Sequence, residues 1–353
     1  MSTLTAKRPT SADVARRAGV SRTTVSFVLS GRPGVTIPVA TRQRVLDAAT
    51  ALGYHPHGPA RQLAGGASHT LGLVLLQSPE QVAGDALLAD TLRGLAVAAR
   101  SQDFRVLVET LEPREGSYAG LLRAAHCDGL VISGPRVDDT ELVALVEDDF
   151  PIVIQGSLPS VAAPSVDVDN VAGARLAVEH LIGLGHRRIG CITNAPLAYT
   201  AAAERLDGYR LALEAAGIGY DPTLVVEGAF EPASGHRAVV ELLDRDSTAV
   251  PFSALFVASD VVALGAIGGL RGRGIQVPAD VSVVGFDDIA LAAYVDPPLT
   301  TIHLPAHELG VTAGRALLDR IAHRPVAERT LLPIELIVRG STARAGRQGG
   351  PSP

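Results

Sequence analysis

From Ser21 to Ser26 the chain reads Ser-Arg-Thr-Thr-Val-Ser. Short hydroxyl side chains and one guanidinium, Arg22, are crowded together. Hydroxyls donate and accept, and the Arg fork matches the paired acceptors of a guanine edge. The set of Ser21, Arg22, Thr23, Thr24 and Ser26 therefore suits hydrogen bonding to a duplex. The patterns that catalysis needs are missing. Gly265-Ala-Ile-Gly-Gly-Leu-Arg-Gly272 is glycine-rich, but it falls inside a helical pattern and does not read as a phosphate loop. His180 and His186 are separated by a glycine stop and lack metal-ligand spacing. No Gly-x-Ser-x-Gly nucleophile elbow occurs. No enzyme activity, metal or cofactor is expected.

A polar face needs an apolar one behind it, and Val25, Val28 and Leu29 supply it at helical spacing. Ser21 can cap this helix. Ahead of it, Thr10 and Ser11 are N-cap candidates, Asp13 suits the first turn, and Val14, Ala15 and Ala18 form an inner face. Gly19 stops that helix. Gly31, Pro33 and Gly34 make a loop. Thr36 and Pro38 then open a third helix with Val45, Ala48, Ala49 and Leu52 inward, and Gly53 ends it. Two short helices joined by a glycine turn and braced by a third predict a helix-turn-helix unit, a pattern that a plain three-helix bundle shares.

Charge separates this unit from the rest. Residues 1–67 carry nine Lys/Arg and two acids, a net +7, while the remaining residues carry 22 basic and 35 acidic side chains, a net −13. A basic head on an acidic body predicts that the head meets a polyanion. Cys127 and Cys191 have no CxxC context and are expected to be core thiols in a reducing compartment. No apolar signal run opens the chain and no stretch of eighteen apolar residues occurs, so a soluble, cytoplasmic protein without membrane contact is expected.

From Leu71 onward, short apolar runs alternate with helical periodicity. Strands are expected at 71–76, 104–109, 129–132, 151–154, 188–192, 224–227, 254–257 and 281–285. Helices are expected at 87–99, 171–184, 205–216, 235–244 and 261–271. This alternation predicts parallel sheets with helices on both faces and ligands at the carboxyl ends of the strands. The segment is too long for one such sheet, so two lobes are expected.

The run from Asp13 to Ser21, Thr24-Val-Ser26, Thr41-Arg-Gln-Arg-Val45 and Leu52-Gly-Tyr-His-Pro56 resemble the headpiece of the lactose-repressor (LacI/GalR) family. The body carries further family-like motifs in order: Asp169-Asn170-x-x-Gly173, Arg205-x-x-Gly-Tyr209, Ser259-Asp260, Gly285-Phe-Asp-Asp288, Pro298-Leu-Thr-Thr-Ile302 and Ile337-Val-Arg-Gly-Ser341. The resemblance implies an all-α helix-turn-helix head followed by an α/β two-lobed periplasmic-binding-protein-like body with parallel sheets. It implies a headpiece at 1–55, a hinge at 56–68 and a body at 69–342. Within the body, the N-lobe spans about 69–168 and 304–331, and the C-lobe about 169–303 and 332–342. The Gly-, Pro- and Arg-containing stretch 343–353 is expected to be disordered.

By the same resemblance, Arg22 and Thr23 read bases and Tyr54 binds phosphate. A further base-reading position is Phe27 here, which can contact a thymine methyl or pack against the head. Ala60, Arg61 and Leu63 fall in the hinge, where the family wedges a Leu into the minor groove. Without the resemblance the same segment reads as a flexible linker. In the body, Arg205 and Asp287 are implied effector contacts, or else a structural ion pair at a lobe edge. Ser259 is a third contact. Asp260 is either a contact or the cap of the next helix. Several family contacts are replaced: an aromatic pair by Leu87-Leu88, after an elongated loop from Gln77 to Ala86, an Arg by Ser157 and a Gln by Leu304.

The function so implied is sequence-specific transcriptional regulation, as a repressor. A homodimer would bind a pseudo-palindromic double-stranded DNA operator, and a small-molecule effector between the lobes, a sugar or a nucleoside, would switch it. An alternative is a ligand-independent DNA-binding dimer with a vestigial cleft. A free solute-binding protein conflicts with the basic head and the missing export signal.

Overall fold

The structure is a computed structural model that describes residues 9–30, 37–52, 54, 68–111, 118, 127–245 and 250–346. The chain divides into two compact units, Met1–Ser68 and His69–Pro353.

The first unit contains helices α1 (Ser11–Ala18), α2 (Arg22–Ser30) and α3 (Val39–Leu52). Thr10 and Asp13 close α1 with a capping box: each side chain accepts the other's backbone N–H. Gly19 ends it at φ 67°, a left-handed conformation that favours a residue without Cβ. Ser21 Oγ accepts the Thr24 N–H at 3.0 Å and starts α2. Val14, Val25 and Val45, one from each helix, are fully buried against one another's neighbours Ala15, Ala48 and Ala49.

The second unit is built on two parallel sheets. One has six strands: β1 (Thr70–Leu75), β2 (Arg105–Thr110), β3 (Gly129–Ser133), β4 (Ile152–Gln155), β5 (Ser165–Val168) and β11 (Arg329–Leu332). Their order is β11-β5-β4-β3-β1-β2. The other has four, β6 (Ile189–Ile192), β7 (Val225–Val226), β8 (Ala254–Val257) and β9 (Ser282–Val284), in the order β7-β6-β8-β9. Every neighbouring pair within these two sheets is parallel. An antiparallel pair, β10 (Thr301–His303) with β12 (Glu335–Ile337), completes the strands described.

Helices cover the sheets: α5 (Leu88–Arg100), α6 (Thr140–Glu147) and α11 (Ala306–Ile321) on the first; α7 (Asn170–Gly183), α8 (Thr200–Ala215), α9 (Pro232–Asp244) and α10 (Asp260–Gly272) on the second. The chain passes from one sheet to the other between β5 and α7, between β10 and α11, and between β11 and β12. Helices α5 and α11 meet where each lacks a side chain: a Cβ on Gly94 would lie 2.0 Å from the His307 carbonyl oxygen, and one on Gly310 2.1 Å from that of Thr91. Reading 71–76 and 254–257 as buried strands fits β1 and β8, whose residues are all buried, as parallel strands covered on both faces must be.

The structure adds elements absent from the sequence reading, β5, β10, β11, β12, α6 and α11 among them, and departs from it in three further places. The elongated loop from Gln77 to Ala86 contains a short helix, α4 (Pro79–Ala83), held by a Ser78–Gln81 capping box. Helix α8 starts at Thr200, five residues before the expected Arg205, because Tyr199–Thr200 is tied to the first sheet. The stretch from 343 onward, expected to be loose, is pinned at its start. The Ala343 N–H donates to Ser282 Oγ at 3.0 Å, and the Ala345 N–H to the Leu184 carbonyl at 2.9 Å. Residues 347–353 lie outside the described residues. Cys191 is buried and Cys127 half-buried, and no disulfide joins cysteines among the described residues.

Candidate functional site

In the first unit, the exposed face of α2 is polar. Ser21, Arg22, Thr23 and Ser26 are exposed, Thr24 and Phe27 are half-buried, and Val25 and Val28 point into the core. Thr24 is partly engaged, its hydroxyl lying 2.8 Å from that of Ser21. Arg22, Thr23 and Ser26 thus share a surface with few internal demands on it. Tyr54 is half-buried and packs on the same core, its N–H donating to Ala49. Ala60, Arg61 and Leu63 lie outside the described residues.

In the second unit, a cavity of about 160 Å3 opens at the carboxyl ends of the strands, between the two sheets. Leu75, Ser133, Gln155 and Asp167 reach it from β1, β3, β4 and β5; Arg205, Ser259 and Asp287 reach it from the other side. Arg205 sits at the second turn of α8 and is 5% exposed. Its Nη1 donates to the Ala258 carbonyl at 2.6 Å and to Asp287 Oδ1 at 3.2 Å, and its Nε to Asn170 Oδ1 at 2.9 Å. The guanidinium lies 3.7 Å from the centre of the Phe286 ring. An ion pair this buried is stabilising only where its other polar atoms find partners, and these contacts engage Nε and Nη1 of the guanidinium. Asp287 has φ 118°, a strained value for a residue with a side chain. Its N–H donates to the Ile302 carbonyl at 2.8 Å, which fixes the turn. Burial pushes its carboxyl up to about 6, against the pull of Arg205 and of the Ser259 hydrogen bond.

Asp260 does neither of the two things expected of it. It is fully buried and does not line the cavity, and the N-cap position of α10 belongs to Ser259. Its oxygens accept Thr301 Oγ1 at 2.6 Å and the Ile289 N–H at 3.0 Å. It ties β10 and the turn after Asp288 to α10. Burial and the neighbouring Asp287 raise its carboxyl well above the usual range.

Several residues in and around the cavity were not expected as contacts from the sequence. Asn170 donates from Nδ2 to Asp167 at 3.2 Å and to Glu204 at 3.0 Å, and Ser157 bonds the other Glu204 oxygen. This chain joins the two lobes on one side of the cavity. On the other side, Tyr199 donates to the Leu76 carbonyl at 2.6 Å, and the Val137 N–H donates to the Ala198 carbonyl at 2.9 Å. Gln77 Oε1, Gln155 Oε1 and Asn194 Oδ1 are buried, have no hydrogen-bond partner, and belong to residues that line the cavity. An unmet buried acceptor costs about 1–3 kcal/mol, and three residues that carry one line this cavity. Leu87, Leu88 and Leu304 supply apolar wall where the family-like pattern has stacking or polar groups.

A helix-turn-helix unit on the same chain as a cleft between two parallel sheets defines a DNA-binding regulator with a ligand-sensing body. Comparison with known proteins agrees. Residues 10–57 match the bacterial regulatory proteins of the lacI family, and residues 178–342 match the periplasmic binding protein-like domain. The transcriptional regulator CelR of Thermobifida fusca is 38% identical over 343 residues, 95% of this chain and 98% of that one. The repressor CytR of Escherichia coli K12 is 35% identical over 335 residues, covering 94% and 95% of the two chains. Among solved structures, a CelR–cellobiose complex superposes with a TM-score of 0.72 at 37% identity, covering 95% of this chain and all of that one. The lac repressor dimer bound to operator and the anti-inducer ONPF gives 0.80 at 32% identity, over 96% of this chain and all of that one. The chain belongs to the LacI family of bacterial transcriptional regulators.

Proposed function

We propose that this protein is a cytoplasmic repressor without enzymatic activity that binds a pseudo-palindromic operator as a homodimer and changes its operator affinity when a sugar occupies the cleft. The observation that carries the reading is the division of labour on α2. Val25 and Val28 are spent on the core, and Arg22, Thr23 and Ser26 face outward. Arg22 and Thr23 would read base edges, Ser21 and Tyr54 would contact phosphates, and Ala60, Arg61 and Leu63 would act in the minor groove. Leu291 and Tyr294, 59% and 85% exposed within one short turn, support pairing of bodies, since large apolar side chains clustered on a surface favour a partner.

In the body, Arg205, Asp287 and Ser259 would hold the effector. The cellobiose complex of CelR favours a carbohydrate, and the orphaned amides favour a ligand rich in hydroxyls. Ligand and DNA would be reciprocal effectors through the angle between the lobes. Selection of bound DNA fragments followed by gel shift, with and without a sugar panel, tests this. A two-fold symmetric site whose retention changes with sugar is expected; an asymmetric site, or retention indifferent to every sugar that binds, would contradict it.

A further inference from the structure

Among the described residues, four ionisable side chains line the cavity: Asp85, Asp167, Asp287 and Arg205. The cation is spent on Asp287, Asn170 and the Ala258 carbonyl. Asp85 is spent on the backbone, its Oδ1 accepting the N–H groups of Leu87 and Leu88 at 2.9 and 3.2 Å at the start of α5. Asp167 is different. It is 7% exposed and accepts the Val168 N–H and the Asn170 amide. That same amide holds a second carboxylate, Glu204. Two carboxylates therefore share one neutral donor, and among the described residues no cation forms an ion pair with either. Arg205 and Arg329 act on Asp167 only through space, and burial holds its carboxyl up at about 7. The unmet groups around it are also acceptors. Gln77 and Asn194, 8% and 7% exposed, and Gln155 line the same cavity, and each has a side-chain oxygen without a hydrogen-bond partner.

The ionisable lining described is thus three carboxyl groups and one arginine, and that arginine is already paired with Asp287. Sugar hydroxyls can satisfy the amides but leave the Asp167 carboxylate without a counter-charge. An ammonium group brings three donors and that charge at once. We infer that the effector is a hydroxyl-rich molecule carrying a protonated amine, an amino sugar in chemical class, with its ammonium against Asp167. This rests on the reading of the cleft as the effector site.

The test is calorimetry on the full chain with the β-1,4-linked disaccharide of glucosamine, its N-acetylated form and cellobiose, at a pH where the amine is protonated. The free amine is expected to bind about tenfold tighter or better than either neutral probe. Because an ammonium favours the ionised carboxylate, binding near pH 7 should also release protons, read from the heat in buffers of different ionisation enthalpy. Asp167→Asn should remove the preference for the amine over the neutral probes, together with the proton release. If cellobiose binds as tightly as the amine, or Asp167→Asn keeps the preference, the inference is wrong and the effector cleft stands. If none of the probes binds, nor any other carbohydrate, both fall. Should Asp167→Asn not fold, the wild-type series and its proton release decide the matter.

Discussion

Arg205 and Asp287 meet at 3.2 Å with side chains 6% exposed each, although they come from α8 and from a strained turn after β9. The pair lines the cavity and also holds Asn170 and Ala258 in place. Removing one member leaves the other charged and buried, a loss of about 3–5 kcal/mol. Asp287→Ala is therefore expected to lower the denaturation temperature of the body and to abolish effector binding, while the headpiece keeps its helical signal. Scanning calorimetry and ligand titration on one preparation check both. Unchanged stability would mean that the pair is not what holds this turn.

Asp167 makes stability depend on pH in a defined direction. Its carboxyl lies at 3.8 when free and at about 7 in the folded chain, because burial disfavours the charge. Between those values the folded state binds the proton more tightly than the unfolded state. The contribution of this group therefore falls as pH rises from about 4 to about 7, and then levels. Asp167→Asn needs no proton to stay neutral. It should flatten that part of the profile and be more stable than the parent above neutrality, as read by urea denaturation of the body across pH.

The two faces of α2 should separate function from folding. Arg22→Ala removes an exposed side chain, so stability should change by under about 0.5 kcal/mol while operator affinity falls by about 1–3 kcal/mol. Val25→Ala removes core volume and should cost the headpiece about 1–3 kcal/mol before any DNA is added. Helical content on heating, alongside anisotropy on a labelled operator, distinguishes them.

Close helix packing in the N-lobe makes Gly94 intolerant. A methyl there would meet the His307 carbonyl oxygen at 2.0 Å, which is backbone and cannot swing aside. Gly94→Ala is expected to push α5 from α11 at a cost of about 1–3 kcal/mol. Gly183→Ala, where nothing lies within 4 Å of the added carbon, is the control and should be close to neutral or stabilising. Thermal denaturation of the two variants checks the contrast.

The parallel sheets were legible because strands buried on both faces, such as β1 and β8, must be continuous apolar runs, and the spacing of Val14, Ala15 and Ala18 shows the headpiece core directly. Short elements were not. β5 is interrupted by Asp167, and α4 is too brief for a periodicity to show in the loop before Leu87. The resemblance to a family brought out Arg205, Asp287 and Ser259, but Asp260 was misjudged. Its position before a helix suggests a cap, whereas its partners Thr301 and Ile289 lie far along the chain and leave no local trace. The same holds for Gln77, Gln155 and Asn194, whose meaning comes only from the cavity they line, and for Glu204, which is tied to it through Asn170.

The central claim is that a basic helical head grips DNA and that occupancy of the cleft alters the grip. Fluorescence anisotropy of a labelled, selected operator fragment against the full chain tests it most directly, at two salt concentrations and with or without a sugar that calorimetry shows to bind. Affinity should fall steeply with salt, as phosphate contacts require, and should shift several-fold when sugar is added. Equal affinity for the operator and for unrelated duplex, or an operator affinity that bound sugar leaves unmoved, would contradict it.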